Sequence, residues 1–264
     1  MVTARELATS PVITARPDES LFKAIKAMTL GWFRHLPVLD SSSIVGMLTS
    51  RDVIRAIVEA CARPQDLEEA ASILSRPVSD FMSPPPPTVG PDDTLEEVAA
   101  KMREAGVGAV LLILDGELRG IITERDLVKK APWSEVDARV SDIMTTGVHT
   151  LRPEDTVLVA AEGMASGGFR RYPVVGGNDR VLGVLTARDV IKLAASEEKP
   201  CRLRMRVKVS QVMSSPPVVI EPEAPVSQAA ALMASHDVGC LPVVKRGRLT
   251  GIVTESDLLR VLGI

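Results

Sequence analysis

The stretch Gly46-Met47-Leu48-Thr49-Ser50-Arg51-Asp52 decides how this chain is read, because it returns three times. The copies are Gly120-Ile121-Ile122-Thr123-Glu124-Arg125-Asp126, Gly183-Val184-Leu185-Thr186-Ala187-Arg188-Asp189 and Gly251-Ile252-Val253-Thr254-Glu255-Ser256-Asp257. Each offers glycine, two apolar residues, threonine and then aspartate three positions on. Each runs into an apolar helical pattern, at Val53-Ile54, Leu127-Val128, Val190-Ile191 and Leu258-Leu259. An apolar strand ending in Thr-x-x-Asp and continuing as a helix puts the hydroxyl and the carboxylate at the helix mouth. Four returns mean that one supersecondary unit has been copied.

Working outward, a second short strand precedes each copy: Leu36-Pro37-Val38-Leu39, Val110-Leu111-Leu112-Ile113, Tyr172-Pro173-Val174-Val175 and Leu241-Pro242-Val243-Val244. Polar turns join the two strands, which predicts a β-hairpin. The third repeat carries one extra residue, and it falls in that turn, where insertions are tolerated. Upstream stand the prolines Pro17, Pro91, Pro153 and Pro222. Four, seven, eight and eleven residues beyond them lie Leu21, Ala24, Ile25, Met28; Leu95, Val98, Ala99, Met102; Val157, Ala160, Ala161, Met164; and Val226, Ala229, Ala230, Met233. That spacing is one face of a helix. Ser20, Thr94 and Thr156 are its predicted N-caps, and Pro225 suits a first helical turn in the fourth copy.

Lead-ins Val78-Ser79-Asp80-Phe81-Met82, Val140-Ser141-Asp142-Ile143-Met144 and Val209-Ser210-Gln211-Val212-Met213 precede repeats 2, 3 and 4; repeat 1 has Arg5-Glu6-Leu7-Ala8 there. The unit is β-α-β-β-α, and the fold class is α+β (mixed α/β). Its copies occupy residues 1–62, 76–132, 138–197 and 207–264. The linkers are Arg63–Arg76, helix-prone at Asp66–Leu74, then Pro132–Arg139 and Ser196–Arg206. Repeats 1 and 3 share basic residues before the proline-bearing strand, whereas 2 and 4 share a small pair, so the chain reads as a duplicated pair. Repeats 1–2 and 3–4 are expected to pack as pairs through the helices bearing the Met28 and Met102 stripes.

The 264 residues are 45% hydrophobic but only 3% aromatic, so the core must be aliphatic. With 31 basic against 34 acidic residues, net charge −3, the chain lacks the cationic excess that holds a nucleic-acid backbone. Three histidines fall at unrelated repeat positions, and Cys61, Cys201 and Cys240 form no C-x-x-C pair. Neither a zinc site nor a nucleophile–base pair is predicted, and no enzyme. Scattered free thiols suit a reducing cytoplasm. The amino terminus lacks a signal-peptide apolar run, and the longest apolar stretch, near Val107–Leu114, is far short of the ~20 residues that span a bilayer.

The Gly-h-h-Thr-x-x-Asp junction (h, apolar), present four times, with the Leu-Pro-Val strand and the Val-Ser-Asp-h-Met lead-in kept in register with it in most copies over roughly residues 5–264, resembles the cystathionine β-synthase (CBS) domain family. The resemblance implies repeats packed as two pseudo-two-fold Bateman modules with ligand clefts between repeats. The four-repeat arrangement resembles the γ subunit of AMP-activated protein kinase. It implies a non-catalytic energy-sensing role with AMP, ADP or ATP as ligand and no cofactor. The alternatives are a sensor of S-adenosylmethionine or methylthioadenosine, and a ligand-free scaffold. Its implied partners are an effector protein, such as a kinase or other enzyme, and a second copy in a homodimer. The charge, apolar runs and thiols of the sequence predict neither membrane nor nucleic acid as partner, and a place in the cytoplasm.

Within that resemblance, Asp52, Asp126, Asp189 and Asp257 each offer a carboxylate that can accept both ribose hydroxyls. Thr49, Thr123, Thr186 and Thr254 place a hydroxyl where a helix start favours anions. The same pattern is also a capping box, so cap and ligand contact are competing readings. Arg51, Arg125 and Arg188 precede the aspartate in three repeats. Arg34-His35 and Arg170-Arg171 resemble phosphate clamps; Gly108-Ala109 and Gly239-Cys240 cannot serve so. Thr14, Thr88 and Thr150 match the positions where the family meets adenine. Repeat 4, with Val219 and Ser256 instead, is the most degenerate.

Overall fold

The computed structural model describes residues 2–62, 72–196 and 204–262. The four striped helices are Leu21–Gly31, Leu95–Ala105, Val157–Gly167 and Val226–His236, and every stripe residue is buried. Ser20, Thr94 and Thr156 cap them by accepting the amide N–H of Lys23, Glu97 and Val159. Pro225 departs from expectation: it is the N-cap itself, because its φ of −68° fits that extended position as readily as a first turn.

The hairpins are His35–Asp40 with Ser43–Thr49, Ala109–Leu114 with Glu117–Thr123, Arg171–Val175 with Val181–Thr186, and Cys240–Lys245 with Arg248–Thr254. Each carries a register shift at the same repeat position, Val38/Leu39, Leu112/Ile113, Val174/Val175 and Val243/Val244. The leading strand is slight. It is Thr88–Val89 in repeat 2 and a single parallel bridge in the others, Ala15 to Val38, Leu151 to Val174 and Ile220 to Val243. The closing helices are Ser50–Ala62, Glu124–Lys130, Ala187–Ala194 and Glu255–Arg260.

Repeats pair by exchanging lead-ins. Thr9 bridges Ile121 and Ser83 bridges Met47, while Thr145 bridges Ile252 and Ser214 bridges Val184. The junction glycine makes this possible. A Cβ on Gly46 would stand 2.5 Å from Met82 Sδ, on Gly183 2.6 Å from Met213 Sδ, and on Gly251 2.8 Å from Met144 Sδ. Glycine of one repeat and methionine of its mate are thus two halves of one contact. Repeat 1 lacks that methionine, and Gly120 meets Ala8 instead. The exchanged segments also reach the helix starts: Val78 N–H donates to Glu19 O at 2.8 Å and Val209 N–H to Asp155 O at 2.7 Å.

The expected route of pairing is corrected. The Met28 stripe shares one buried core with the Met164 stripe of repeat 3. The closing helix of repeat 1 packs on Val157–Gly167 and Ala187–Ala194, and that of repeat 2 on Val226–His236 and Glu255–Arg260. Helices therefore join repeat 1 to 3 and 2 to 4, whereas strands and lead-ins join 1 to 2 and 3 to 4. An apolar helix face is best buried against another such face, while a strand edge needs backbone partners.

Cys61 is disulfide-bonded, which overturns the free-thiol reading there; Cys240 is a buried free thiol. Cys201 and most of the segment expected to be helix-prone lie outside the described residues, although 72–75 are helical. Among the described residues no helix is long and apolar enough to cross a membrane.

Candidate functional site

Each Thr-x-x-Asp junction opens on its own cavity. Asp189 lines one of about 750 Å³ and Asp52 one of about 620 Å³. Those of Asp257 and Asp126 are about 340 and 260 Å³. Small-molecule clefts usually hold about 300–1,000 Å³, so the first two fall well within that range and the last falls below it.

The capping role of the aspartate is seen at the level of single oxygens. In all four junctions Oδ2 accepts the backbone N–H of its threonine at 2.7–2.8 Å and the hydroxyl at 2.6–2.7 Å. One oxygen therefore serves the helix. The other differs by repeat: Asp52 Oδ1 accepts from the Ser83 hydroxyl at 3.2 Å, and Asp257 Oδ1 is taken by Arg260. Among the described residues no partner is found for Oδ1 of Asp126 or Asp189. Burial raises the pKa of Asp189 against the opposing pull of its Thr186 bonds.

The exchanged lead-ins form cavity walls that the sequence reading did not foresee. Ser83, Pro84 and Pro86 line the Asp52 cavity, and Ser214, Pro216, Pro217 and Val218 the Asp189 cavity. Thr14, Thr88 and Thr150 are exposed and line none of the four cavities. Ile13, Val218 and His149, each four residues before the landmark proline, line cavities instead. One residue of offset in extended chain is enough to turn a side chain to the opposite face.

The basic residues gather where the four repeats meet. Arg51 lines the Asp52 cavity, Arg188 those of Asp189 and Asp126, and Arg125 the same two as Arg188. Arg188 also lies 5.3 Å over the Trp32 ring and donates to its carbonyl at 3.1 Å. Arg34 lines the Asp189 and Asp126 cavities, Arg171 those of Asp189 and Asp257. Arg170 lines three, those of Asp52, Asp189 and Asp257. No carboxylate partner for Arg170 is found among the described residues. Burial, with Arg171 and Arg34 beside it, lowers its pKa to about 10. His35 lines the Asp52 and Asp126 cavities. Burial and then Arg34 and Arg170 push its pKa down to about 3, so at neutral pH it is an uncharged wall and not a cation.

Glu255 was not singled out by the repeat pattern, yet it organises this centre. It is 1% exposed. Its Oε2 accepts from Arg34 Nη2 at 2.9 Å and Arg171 Nη2 at 3.0 Å, and its Oε1 from Arg125 Nε at 3.0 Å. Burial alone would raise its pKa, but the guanidiniums of Arg34, Arg171 and Arg125 hold it at about 2. Glu124, its counterpart in repeat 2, accepts instead from the Ser256 hydroxyl. Among the described residues no group of three His, Cys, Asp or Glu could hold a metal ion.

Comparison with known proteins agrees with this architecture. The CBS domain profile matches four times, over residues 4–59, 78–132, 140–196 and 209–264. A Thermofilum pendens protein, described as an uncharacterized 33.4 kDa protein in ribosomal RNA operon, is 30% identical over 275 residues, covering 96% of this chain and 90% of its own length. The crystal structure of protein MJ1225 from Methanocaldococcus jannaschii, described as that of a candidate archaeal homolog of γ-AMPK, has a TM-score of 0.85 at 26% identity, covering 98% of this chain and 99% of that one. A conserved protein from Pyrococcus horikoshii has a TM-score of 0.65 at 18% identity over 99% of this chain and 100% of that one, a likeness of fold alone.

Proposed function

Because this chain belongs to the CBS domain family, carrying four copies of the domain, we propose that it is a non-catalytic regulatory protein that binds AMP, ADP or ATP in the Asp52 and Asp189 cavities and passes occupancy to a separate effector protein. The observation that carries this is the pairing of unspent groups in the Asp189 cavity. Asp189 keeps one carboxylate oxygen beyond its helix cap, and Arg170 lines the same space without a carboxylate partner. A ribose diol and a phosphate are complementary to those two groups. Ser50 lines this cavity as well, and its buried hydroxyl has no partner; a buried polar group in that state favours a ligand that satisfies it. The arginines repel a sulfonium, which sets S-adenosylmethionine behind the nucleotides.

Thermal unfolding with adenosine, AMP, ADP, ATP, S-adenosylmethionine and methylthioadenosine tests the reading. A ligand at a hundredfold its Kd stabilises the native state by about 2.7 kcal/mol. Asp189→Asn keeps an oxygen for the cap but removes the charge facing the diol. Calorimetry should then show nucleotide affinity at that cavity falling about ten- to a hundredfold, with stability nearly unchanged. If no adenine compound shifts unfolding at millimolar concentration, the scaffold reading replaces this one.

A further inference from the structure

Three arginines from three different repeats converge on one carboxylate of the fourth. Arg34, Arg125 and Arg171 are all held by Glu255, and all three line the Asp189 cavity. Their side chains are only 10–19% exposed, so solvent does little to screen the group. Glu255 itself lines none of the four cavities; it stands behind the arginines. The position is shaped for it. A Cβ on Gly239 would come within 2.7 Å of Glu255 Oε2 and would also collide with Arg171 Nη2. The same repeat position is Ser50, Glu124 and Ala187 elsewhere, and Glu124 is spent on a hydroxyl, so the arrangement occurs once in the four repeats.

Each arginine gives Glu255 a single N–H, Arg125 giving another to Asp237, and a phosphate that would use those donors must displace or share the resident carboxylate. Arg170, by contrast, has no ion pair among the described residues, although the Glu124 charge acts on it from a distance. We propose that Glu255 is a specificity-determining residue: a resident anion that takes the place of ligand phosphate for Arg34, Arg125 and Arg171, so that the Asp189 cavity favours adenosine ligands of low charge over ATP. The protein sets this preference with an internal negative charge. It does so without removing the arginines, which still hold the repeats together.

The inference rests on the adenine-nucleotide reading of that cavity, and the test separates the two. Calorimetry on the full chain measures adenosine, AMP and ATP, following the binding event that Asp189→Asn weakens. In Glu255→Gln the ATP-to-adenosine affinity ratio of that event should rise by about tenfold or more, because a charged acceptor is withdrawn from the arginines. Inorganic tripolyphosphate should also raise the Tm of Glu255→Gln more than that of the unaltered chain. Should Glu255→Gln fail to fold, Gly239→Ala disturbs the same contact without removing charge and should raise the ratio in the same direction. A folded variant with an unchanged ratio overturns the proposal while leaving nucleotide binding intact. Loss of folding in both variants overturns it too, making Glu255 purely architectural. Absence of any adenine binding in the unaltered chain refutes the nucleotide reading itself.

Discussion

The Asp52 and Asp189 cavities arise from the same repeat position and the same seven-residue pattern, yet they are not equally ready for a ligand. At Asp52 the lead-in serine, Ser83, already bonds the second carboxylate oxygen. At Asp189 the equivalent residue, Ser214, lines the cavity and that oxygen has no partner among the described residues. The arginines divide in the opposite sense. Those around Asp189 are mostly tied to Glu255, whereas the Asp52 cavity is lined by Arg51, Arg55, Arg103 and Arg170, none of them bonded to Glu255, beside the uncharged His35. One motif thus yields an aspartate with a spare oxygen in one cavity and arginines not tied to Glu255 in the other. What separates them is contributed by other repeats.

Arg170 is the residue the two cavities have in common, so removing it is the strongest way to break the comparison. Arg170→Ala should weaken ATP at both Asp52 and Asp189 by about ten- to a hundredfold, the worth of one charged hydrogen bond. Adenosine should be little affected. Titration calorimetry with both ligands checks this; an effect confined to one cavity would show that the arginine is not shared.

A smaller effect sharpens the contrast from the Asp52 side. The pKa of His35 is about 3 in the folded chain against an ordinary 6.5. Between those values the unfolded chain binds a proton that the native state refuses. Stability therefore falls as pH drops from 6.5 toward 3, by about 1.4 kcal/mol per pH unit. Glu255 is depressed from 4.5 to about 2, so its contribution is present above 4.5 and is lost only below that value. From pH 6.5 to 5 Glu255 contributes nothing to this pH dependence, and comparison of the unaltered chain with a His35 variant isolates the histidine. His35→Gln should remove about 2 kcal/mol of pH dependence there in urea unfolding; an unaltered slope would mean that His35 is protonated in the fold.

The repeat pattern made much of this legible. Glycine, threonine and aspartate at fixed spacing located all four cavities, because local backbone geometry repeats whenever local sequence does. The methionine of three lead-ins and the glycine of every junction were visible too, but not that each belongs with the other's repeat; a contact exchanged between repeats looks periodic within each. Glu255 was illegible for the opposite reason. Its partners are 84, 130 and 221 residues away, and its own position varies between copies. A reading that compares copies discards whatever occurs once. Burial of charge at a four-way junction is such a feature, since it depends on the repeats being unequal.

The smallest effect is expected at Asp257, and it tests whether that inequality extends to repeat 4. Its Oδ2 caps Thr254 and its Oδ1 is already taken by Arg260, whose side chain is 64% exposed. An ion pair with so exposed a partner contributes about 0–1 kcal/mol, and losing it leaves no buried charge stranded on the arginine. Asparagine keeps an oxygen for the cap. The cavity is also less than half the size of that at Asp189 and lacks an arginine before the aspartate, where Ser256 stands. Asp257→Asn should accordingly leave both unfolding and nucleotide titrations close to those of the unaltered chain. If instead calorimetry shows one binding event lost, Arg260 must be yielding its carboxylate to a ligand. Repeat 4 would then be a working site whose oxygen is guarded and not spent, and the division between prepared and occupied aspartates would have to be redrawn.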